Sequence, residues 1–569
     1  MKKNKINLDL KDIASGVSNM LGPEKEDGNI EYKWKLINLT QERIEQLITQ
    51  MNYRISEGSG EALYEIGVTD DGFPRGVTES EYNQSIINLK SIAKQCNSYC
   101  TILTNKELQN KLVVSEVLVR RNVDPGNYID LSIVVAGNVD AAKTSTIGVL
   151  ISGNLDNGRG LSRVNVFNFK HEMETGRTSS ISHQIMGFRS DSTVVNENKL
   201  KKLSWPEIVS QSAKIITFYD LAGHEKYLRT TIYGFSSTYP DYSMILIGAN
   251  MGITQMTKEH ISLCLTYKIP FFVVFSKIDI APKDVFDEIK LKFTQLMKSP
   301  GLRKIPIHVK SEDDVVLAAK NMLNENIVPY MEISNVTGTN INILKKFLNF
   351  LPQRKNYKQY EKEPVEFTVD ERYMVTGIGT VVAGILHRGT VHVNDNVFIG
   401  PDSTGSYKKT QIKSIHFKRV PTNEAKAGGY FCFNLKKIQK IWIRRGMAII
   451  SGLNQPRTVW RFEAEVSIIQ SHHTTIRVGY EPNIHINNIS QVCKIEKIQK
   501  ICNKHVSKKN VDPEEFESSP VLRAGDQANV LFKFKYRPEF IHEGYKIIFR
   551  ENRLRGIGII KQIFPSKKN

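Results

Sequence analysis

The residues whose types and spacing could do chemistry gather first in Gly137-Asn138-Val139-Asp140-Ala141-Ala142-Lys143-Thr144-Ser145. The apolar run Ile133 to Ala136 breaks at Gly137, and Ile147, Leu150 and Ile151 recur at helical spacing after Lys143, so the segment reads as strand, tight loop, helix. That arrangement turns backbone N–H groups and a helix N-terminus toward anionic oxygens, with Lys143 long enough to reach the outer phosphates and the Thr144 hydroxyl placed for Mg²⁺. The pattern is G-x-x-x-x-G-K-[ST], with Ala142 in place of its second glycine. The chemistry this predicts is phosphate binding.

Three further segments extend it. The strand-like Lys214 to Tyr219 runs into Asp220-Leu-Ala-Gly223-His224, where a carboxylate could hold Mg²⁺ through water and the glycine N–H could sense a terminal phosphate. Phe271 to Phe275 leads into Ser276-Lys277-Ile278-Asp279, and Tyr330 to Ile333 into Ser334-Asn335-Val336. Asp279 could accept hydrogen bonds from guanine N1–H and N2–H₂, which adenine does not supply, and the Lys277 stem could cover the base. The pattern therefore points to GTP rather than ATP.

These loops need strands to carry them. Alternating strands and helices over 128–353 predict a doubly wound α/β domain with a mostly parallel sheet, and ligands gather at the carboxyl ends of such strands. Residues 1–127 read as a separate α/β accessory domain: a helix over Trp34 to Tyr53 stopped by Gly58-Ser-Gly60, a strand over Glu61 to Gly67, a capping box Thr78-Glu-Ser-Glu81 before a second helix, and a strand over Lys111 to Val119. From 354 onward, short β-branched runs between Gly, Asn and Asp turns predict two closed β-barrels, 354–455 and 456–569.

Charge is divided unevenly between these parts. Of the 569 residues, with net charge +19, residues 354–569 carry 37 Lys+Arg against 20 Asp+Glu, whereas 1–353 carry 41 against 39. A basic pair of barrels points to a polyanionic partner, RNA, because neutralising phosphates releases counterions. No apolar run is long enough to span a membrane, and Met1 to Leu10 lacks the apolar core of a secretory signal, so the expected location is the cytoplasm or nucleus. Six cysteines (Cys96, Cys100, Cys264, Cys432, Cys493, Cys502) without paired CxxC spacing predict reduced thiols and no zinc. The chain is expected to be a monomer without membrane contact.

The segments Gly137 to Thr144, Thr175 to Thr178, Asp220 to His224, Ser276 to Asp279 and Ser334 to Val336 resemble the five motifs of translational GTPases of the elongation factor Tu type. Leu155-Asp-Asn-Gly-Arg-Gly160, Gly176-Arg-Thr-Ser-Ser180, Asp220 to Tyr227, Ser334 to Gly338 and Gly60 to Gly67 bring the chain nearer still to the GTP-binding protein 1-like family, and this resemblance extends over essentially the whole sequence. It implies GTP hydrolysis with Mg²⁺, Thr178 as a second threonine on the cation, His224 as the histidine that orients the attacking water, barrels like domains 2 and 3 of those factors, and tRNA or the ribosome as the RNA partner.

Three positions depart from the wider pattern. Ala142 adds a methyl beside backbone that must approach phosphate. Ser276 stands where many GTPases carry asparagine, losing an amide that ties the base loop to the phosphate loop, and Arg177 stands where Tu-type factors carry isoleucine. Two other functions fit parts of the sequence: a GTP-dependent RNA-binding switch with little hydrolysis, motivated by Ala142, and a nucleotidyl transferase resembling the GTPase-like subunit of sulfate adenylyltransferase, which shares the barrels.

Overall fold

A computed structural model of the chain describes residues 21–108, 111–124, 126–167, 169–175, 178–197, 202–451, 457–470, 476–500, 521–551 and 554–565. Met1 to Leu10, Gly176, Arg177 and Cys502 lie outside the described residues.

The central sheet has seven strands in the order Ile305–His308, Ile327–Glu332, Phe271–Ser276, Tyr242–Gly248, Ile129–Gly137, Lys214–Asp220, Ser182–Phe188. All neighbours are parallel except the last pair. Its strands are near-continuous apolar runs because both faces are covered. Ile133 and Val135 point to one side, against Ile147 and Leu150 of helix Lys143–Ser152 and Leu344 and Phe347 of helix Ile341–Phe350. Val134 and Ala136 point to the other, against Phe235 of Leu228–Ser237, Ile261 of Gln255–Tyr267 and Phe293 of Lys283–Lys298. The phosphate loop, Asp220 and Ser276 therefore all emerge at the carboxyl edge of the one sheet.

The N-terminal sheet runs Ile30–Lys33, Glu61–Ile66, Val113–Arg121, Ser98–Glu107, with the first pair parallel and the rest antiparallel. Two of its strands, Ile30–Lys33 and Ser98–Glu107, have no counterpart in the sequence reading. The helix expected from Trp34 begins only at Gln41, because the Thr40 side chain accepts from the Arg43 N–H and caps it there. Trp34, Leu36 and Leu39 reach the same core from the preceding connection, which is why their spacing resembled a helix. Both helices cover one face of this sheet. The other face carries Glu61, Glu65 and Arg120, which dock onto the central domain: Arg120 reaches Glu61 at 2.9 Å and the Asn349 side chain at 2.8 Å, Lys214 reaches Glu61 at 3.2 Å, and Lys320 bridges Glu65 and Glu116.

Two β-barrels follow. In the first, six strands close when Asn396–Gly400 pairs with Lys408–Phe417, and the run Arg372 to Gly384 forms two strands of a hairpin turning at Gly377. The second closes when Val459–Gln470 pairs with Leu554–Pro565. Both lean on the central domain: Lys418 pairs with Asp130 at 2.9 Å, Asp370 accepts from the hydroxyls of Tyr233 and Tyr430, and the Ser236 hydroxyl donates to the Asn487 carbonyl at 2.8 Å. Among the described residues no helix is long and apolar enough to cross a membrane.

Candidate nucleotide-binding site

The phosphate loop is shaped by its backbone. Gly137 ends its strand at φ 143°, and a Cβ there would stand 2.3 Å from the Leu246 carbonyl oxygen, so the close packing of neighbouring strands requires glycine. Asp140 and Ala142 both adopt left-handed conformations, at φ 60° and 58°. Ala142 immediately precedes helix Lys143–Ser152, so the cost of lacking glycine is placed in its torsion angles, on the order of 1–2 kcal/mol. Asn138 and Val139 are half-buried, Asp140 is exposed and Ala141 buried. Lys143 curls back so that Nζ donates to the Asn138 carbonyl at 2.7 Å, and burial pushes its ammonium down to about 8.

Three oxygen-bearing side chains converge beside that lysine. Thr144 Oγ1 donates to Asp220 Oδ2 at 2.7 Å and lies 2.9 Å from Thr178 Oγ1, which is itself 3.3 Å from Asp220 Oδ2. Asp220 is fully buried, and its other oxygen, Oδ1, has no hydrogen-bond partner. Burial raises its carboxyl to about 6, against the lowering influence of Lys143, Thr144 and Thr178. A buried carboxylate oxygen without a donor, beside two hydroxyls, is a set of hard oxygen ligands that fits Mg²⁺. Ser145 is buried on the same first helical turn.

Gly223 closes this end of the site. A Cβ there would stand 2.3 Å from Lys143 Nζ and 2.7 Å from the Gly137 carbonyl oxygen, so the second switch segment approaches the phosphate loop only as glycine. His224, next in sequence, is half-buried; its Nδ1 accepts the Lys226 N–H at 3.1 Å and caps the turn Glu225–Tyr227. In the neutral imidazole that bond leaves the proton on Nε2.

At the base end, the Ser276 hydroxyl donates to the Ala141 carbonyl at 3.0 Å. The tie between base loop and phosphate loop that an asparagine would make is therefore present, which corrects the loss expected from the sequence. Lys277 takes a left-handed conformation at φ 63°, half-buried, and Asp279 is exposed. The Ser334 hydroxyl accepts the Val336 N–H at 3.2 Å, and the Asn335 amide donates to Thr146 Oγ1 at 2.9 Å, fastening this loop to the helix that follows the phosphate loop. Val336 remains 40% exposed at the mouth. The Leu155 to Gly160 segment is joined to it through a hydrogen bond from Asp156 N–H to the Asn335 carbonyl at 2.9 Å.

Two supporting side chains carry no motif signal. His260, buried in helix Gln255–Tyr267, accepts the Gly137 N–H on Nδ1 at 3.1 Å, and burial pushes it down to about 3, so it serves as a neutral acceptor. Glu172 is buried beneath the segment that delivers Thr178. His260 acts across 123 residues, and Glu172 acts through a loop of no regular period, so neither leaves a spacing signal.

The family model for the elongation factor Tu GTP-binding domain matches residues 130–353, and that for elongation factor Tu domain 2 matches residues 379–450. GTP-binding protein 1 from Xenopus laevis is 40% identical over 546 residues, covering 95% of this chain and 80% of the relative; human GTP-binding protein 2 is 40% identical over 551 residues, covering 95% and 88%. The fold is shared with translation elongation factor SelB from Methanococcus maripaludis in complex with the GTP analogue GppNHp, at TM-score 0.51 and 18% identity over 77% of this chain and 80% of that one. With a strand-end phosphate loop, an Asp220-to-Gly223 switch and two closed barrels on one chain, and with relatives matching along nearly all of it, this protein belongs to the GTP-binding protein 1/2 family of translational GTPases.

Proposed function

We propose that the chain binds GTP with Mg²⁺, hydrolyses it to GDP, and couples that cycle to an RNA-containing partner, tRNA or the ribosome. The observation that carries the nucleotide part is the convergence of Thr144, Thr178 and the unpartnered Asp220 Oδ1 beside Lys143. The chemistry that bound Mg²⁺ supplies there is neutralisation of charge on the phosphate oxygens. Thr144, Thr178 and Asp220 hold the cation, and the Lys143 ammonium and the N–H groups from Asn138 to Ser145 bind the phosphates. Ser276 and Asn335 fix the base loops, Lys277 and Val336 flank the base, Ser334 shapes the turn, and Asp279 reads guanine. Gly223 brings the second switch to the terminal phosphate, and His224 orients the water with its Nε2–H. Ser132 to Gly137 and the covering helices exclude bulk water beneath the loop.

For the partner, the support is the basic charge of the barrels and a cavity of about 620 Å³ between them and the central domain, where Arg372, Lys440, Arg444, Arg445 and Arg537 outnumber the carboxylates Glu371 and Glu539 that pair with three of them. Single-turnover hydrolysis with and without ribosomes tests the whole reading. His224→Ala should leave GTP affinity within a few-fold while cutting stimulated hydrolysis by roughly 100-fold or more; a full stimulated rate in that variant excludes His224 as the orienting group. Ribosome or tRNA affinity should fall steeply as salt rises, and a salt-independent affinity would remove phosphates as the contact.

A further inference from the structure

Glu172 lies in the short helix Lys170–Thr175, six residues before Thr178, with its carboxylate fully buried. Burying a carboxylate is costly unless donors replace its water, and here they do. Oε1 accepts from the backbone N–H groups of Ser179 at 2.8 Å and Ser180 at 3.0 Å, and from their hydroxyls at 2.9 and 3.0 Å. Oε2 accepts from the Phe169 N–H at 3.3 Å, and His171 Nε2 lies 2.8 Å from the Ser179 hydroxyl. The two serines so held directly follow Thr178.

The cation-binding cluster is asymmetric in how its members are fixed. Thr144 stands on a helix and Asp220 on a central strand, so sheet packing places both. Thr178 arrives on a segment outside any helix or strand, and the donors gathered on Glu172 fasten its next two residues.

We propose that Glu172 is a positioning residue, a latch that holds Ser179 and Ser180 so that Thr178 is presented to Thr144 and Asp220, and that it thereby sets the preference for nucleoside triphosphate over diphosphate. This rests on the nucleotide reading above. A segment that meets both the cation and a terminal phosphate is ordered by the triphosphate and released by the diphosphate, so stabilising its ordered form adds affinity for the triphosphate alone.

The test compares affinities for GDP and for a slowly hydrolysed GTP analogue, across Mg²⁺ concentrations, in the full chain and in Glu172→Ala and Glu172→Gln. The alanine variant should lose about tenfold or more in analogue affinity, the factor for one charge-assisted hydrogen bond, and need more Mg²⁺ to reach half-saturation. GDP affinity and the melting temperature of the GDP-bound chain should stay unchanged. Glu172→Gln keeps one acceptor oxygen and should recover part of the analogue affinity. Equal losses for both nucleotides, or none for either, would overturn the latch; a wild-type chain that bound neither nucleotide would overturn the nucleotide reading beneath it.

Discussion

At the phosphate end of the site, Lys143, Thr144, Thr178 and Asp220 are interlocked, with Lys143 and Asp220 buried and shifted toward their neutral forms. At the base end only the supports are interlocked: Ser276 holds Ala141 and Asn335 holds Thr146, while Asp279 and Val336 are exposed and Lys277 is half-buried. The difference teaches where each kind of selectivity is stored. On the proposed reading, charge recognition is prepaid in desolvation, so a cation and phosphates relieve a cost already present in the folded chain. On the same proposed reading, base recognition falls to side chains near the surface on a fixed backbone, so it is gained at binding and contributes less.

The sharpest way to break this contrast is Asp220→Asn. The amide removes a buried charge, so the nucleotide-free chain should melt no lower than wild type, while GTP affinity in Mg²⁺ should fall by roughly 100-fold, the scale of losing charge-assisted ligation. Calorimetry and titration together decide it; lower stability with unchanged affinity would make Asp220 structural.

Asp279→Asn probes the other end, with an expected loss for GTP of about tenfold, the lower range for hydrogen bonds to a charged group. Xanthosine triphosphate, whose ring oxygen accepts from an amide, should lose less or gain. Equal losses in a competition titration would take Asp279 out of base reading.

The phosphate end should also show a pH window. Asp220 has a raised carboxyl, so its contribution to the stability of the nucleotide-free chain is present below the ordinary value of 3.8 and lost as pH rises through about 6. A cation needs the ionised form, so Mg²⁺-dependent binding should weaken below about 6 as protons compete. Lys143 is depressed, and its contribution to stability is lost as pH falls through about 8; phosphates need the ammonium, so affinity should decline above about 8. Isothermal titration across that range should find the best binding between about 6 and 8, and a flat profile would count against both assignments.

Smallest of all should be Ala142→Gly. Relieving one left-handed alanine should tighten GTP by a few-fold, about 1 kcal/mol, read in the same titration with Asp279→Asn as the reference. An unchanged affinity would show that the loop holds this torsion equally in free and bound forms.

How much of this was legible in the sequence differs along the chain in the same way. Gly137, Lys143, Thr144, Asp220, Gly223 and Ser276 to Asp279 could be placed because each sits at the break between an apolar run and a polar loop, and local periodicity reports such breaks directly. The family motifs added Thr178 and His224. The helix expected from Trp34 was misplaced because apolar residues in a connection can enter a core with helical spacing by chance, and only the Thr40 cap marks the true start. Strands such as Ser98–Glu107, where polar and apolar residues do not alternate and the end Asn105-Lys106-Glu107 is polar and exposed, carry too weak a pattern to read.

By itself the sequence determined that four loops with the right side chains follow four buried strands, since alternation, apolar runs and turn residues are local properties of the chain. Only the tertiary structure decided that the Ser276 hydroxyl replaces the missing amide, that His260 supports Gly137, that Glu61, Arg120, Lys214 and Asn349 lock the N-terminal sheet to the central one, and that Glu172 fastens the Thr178 segment. The physical reason is that a hydrogen bond or ion pair across 123 residues, as from Gly137 to His260, leaves no periodicity in the chain. It exists only once packing has desolvated both partners and set them within about 3 Å, and burial, not residue type, then fixes which protonation state each one holds.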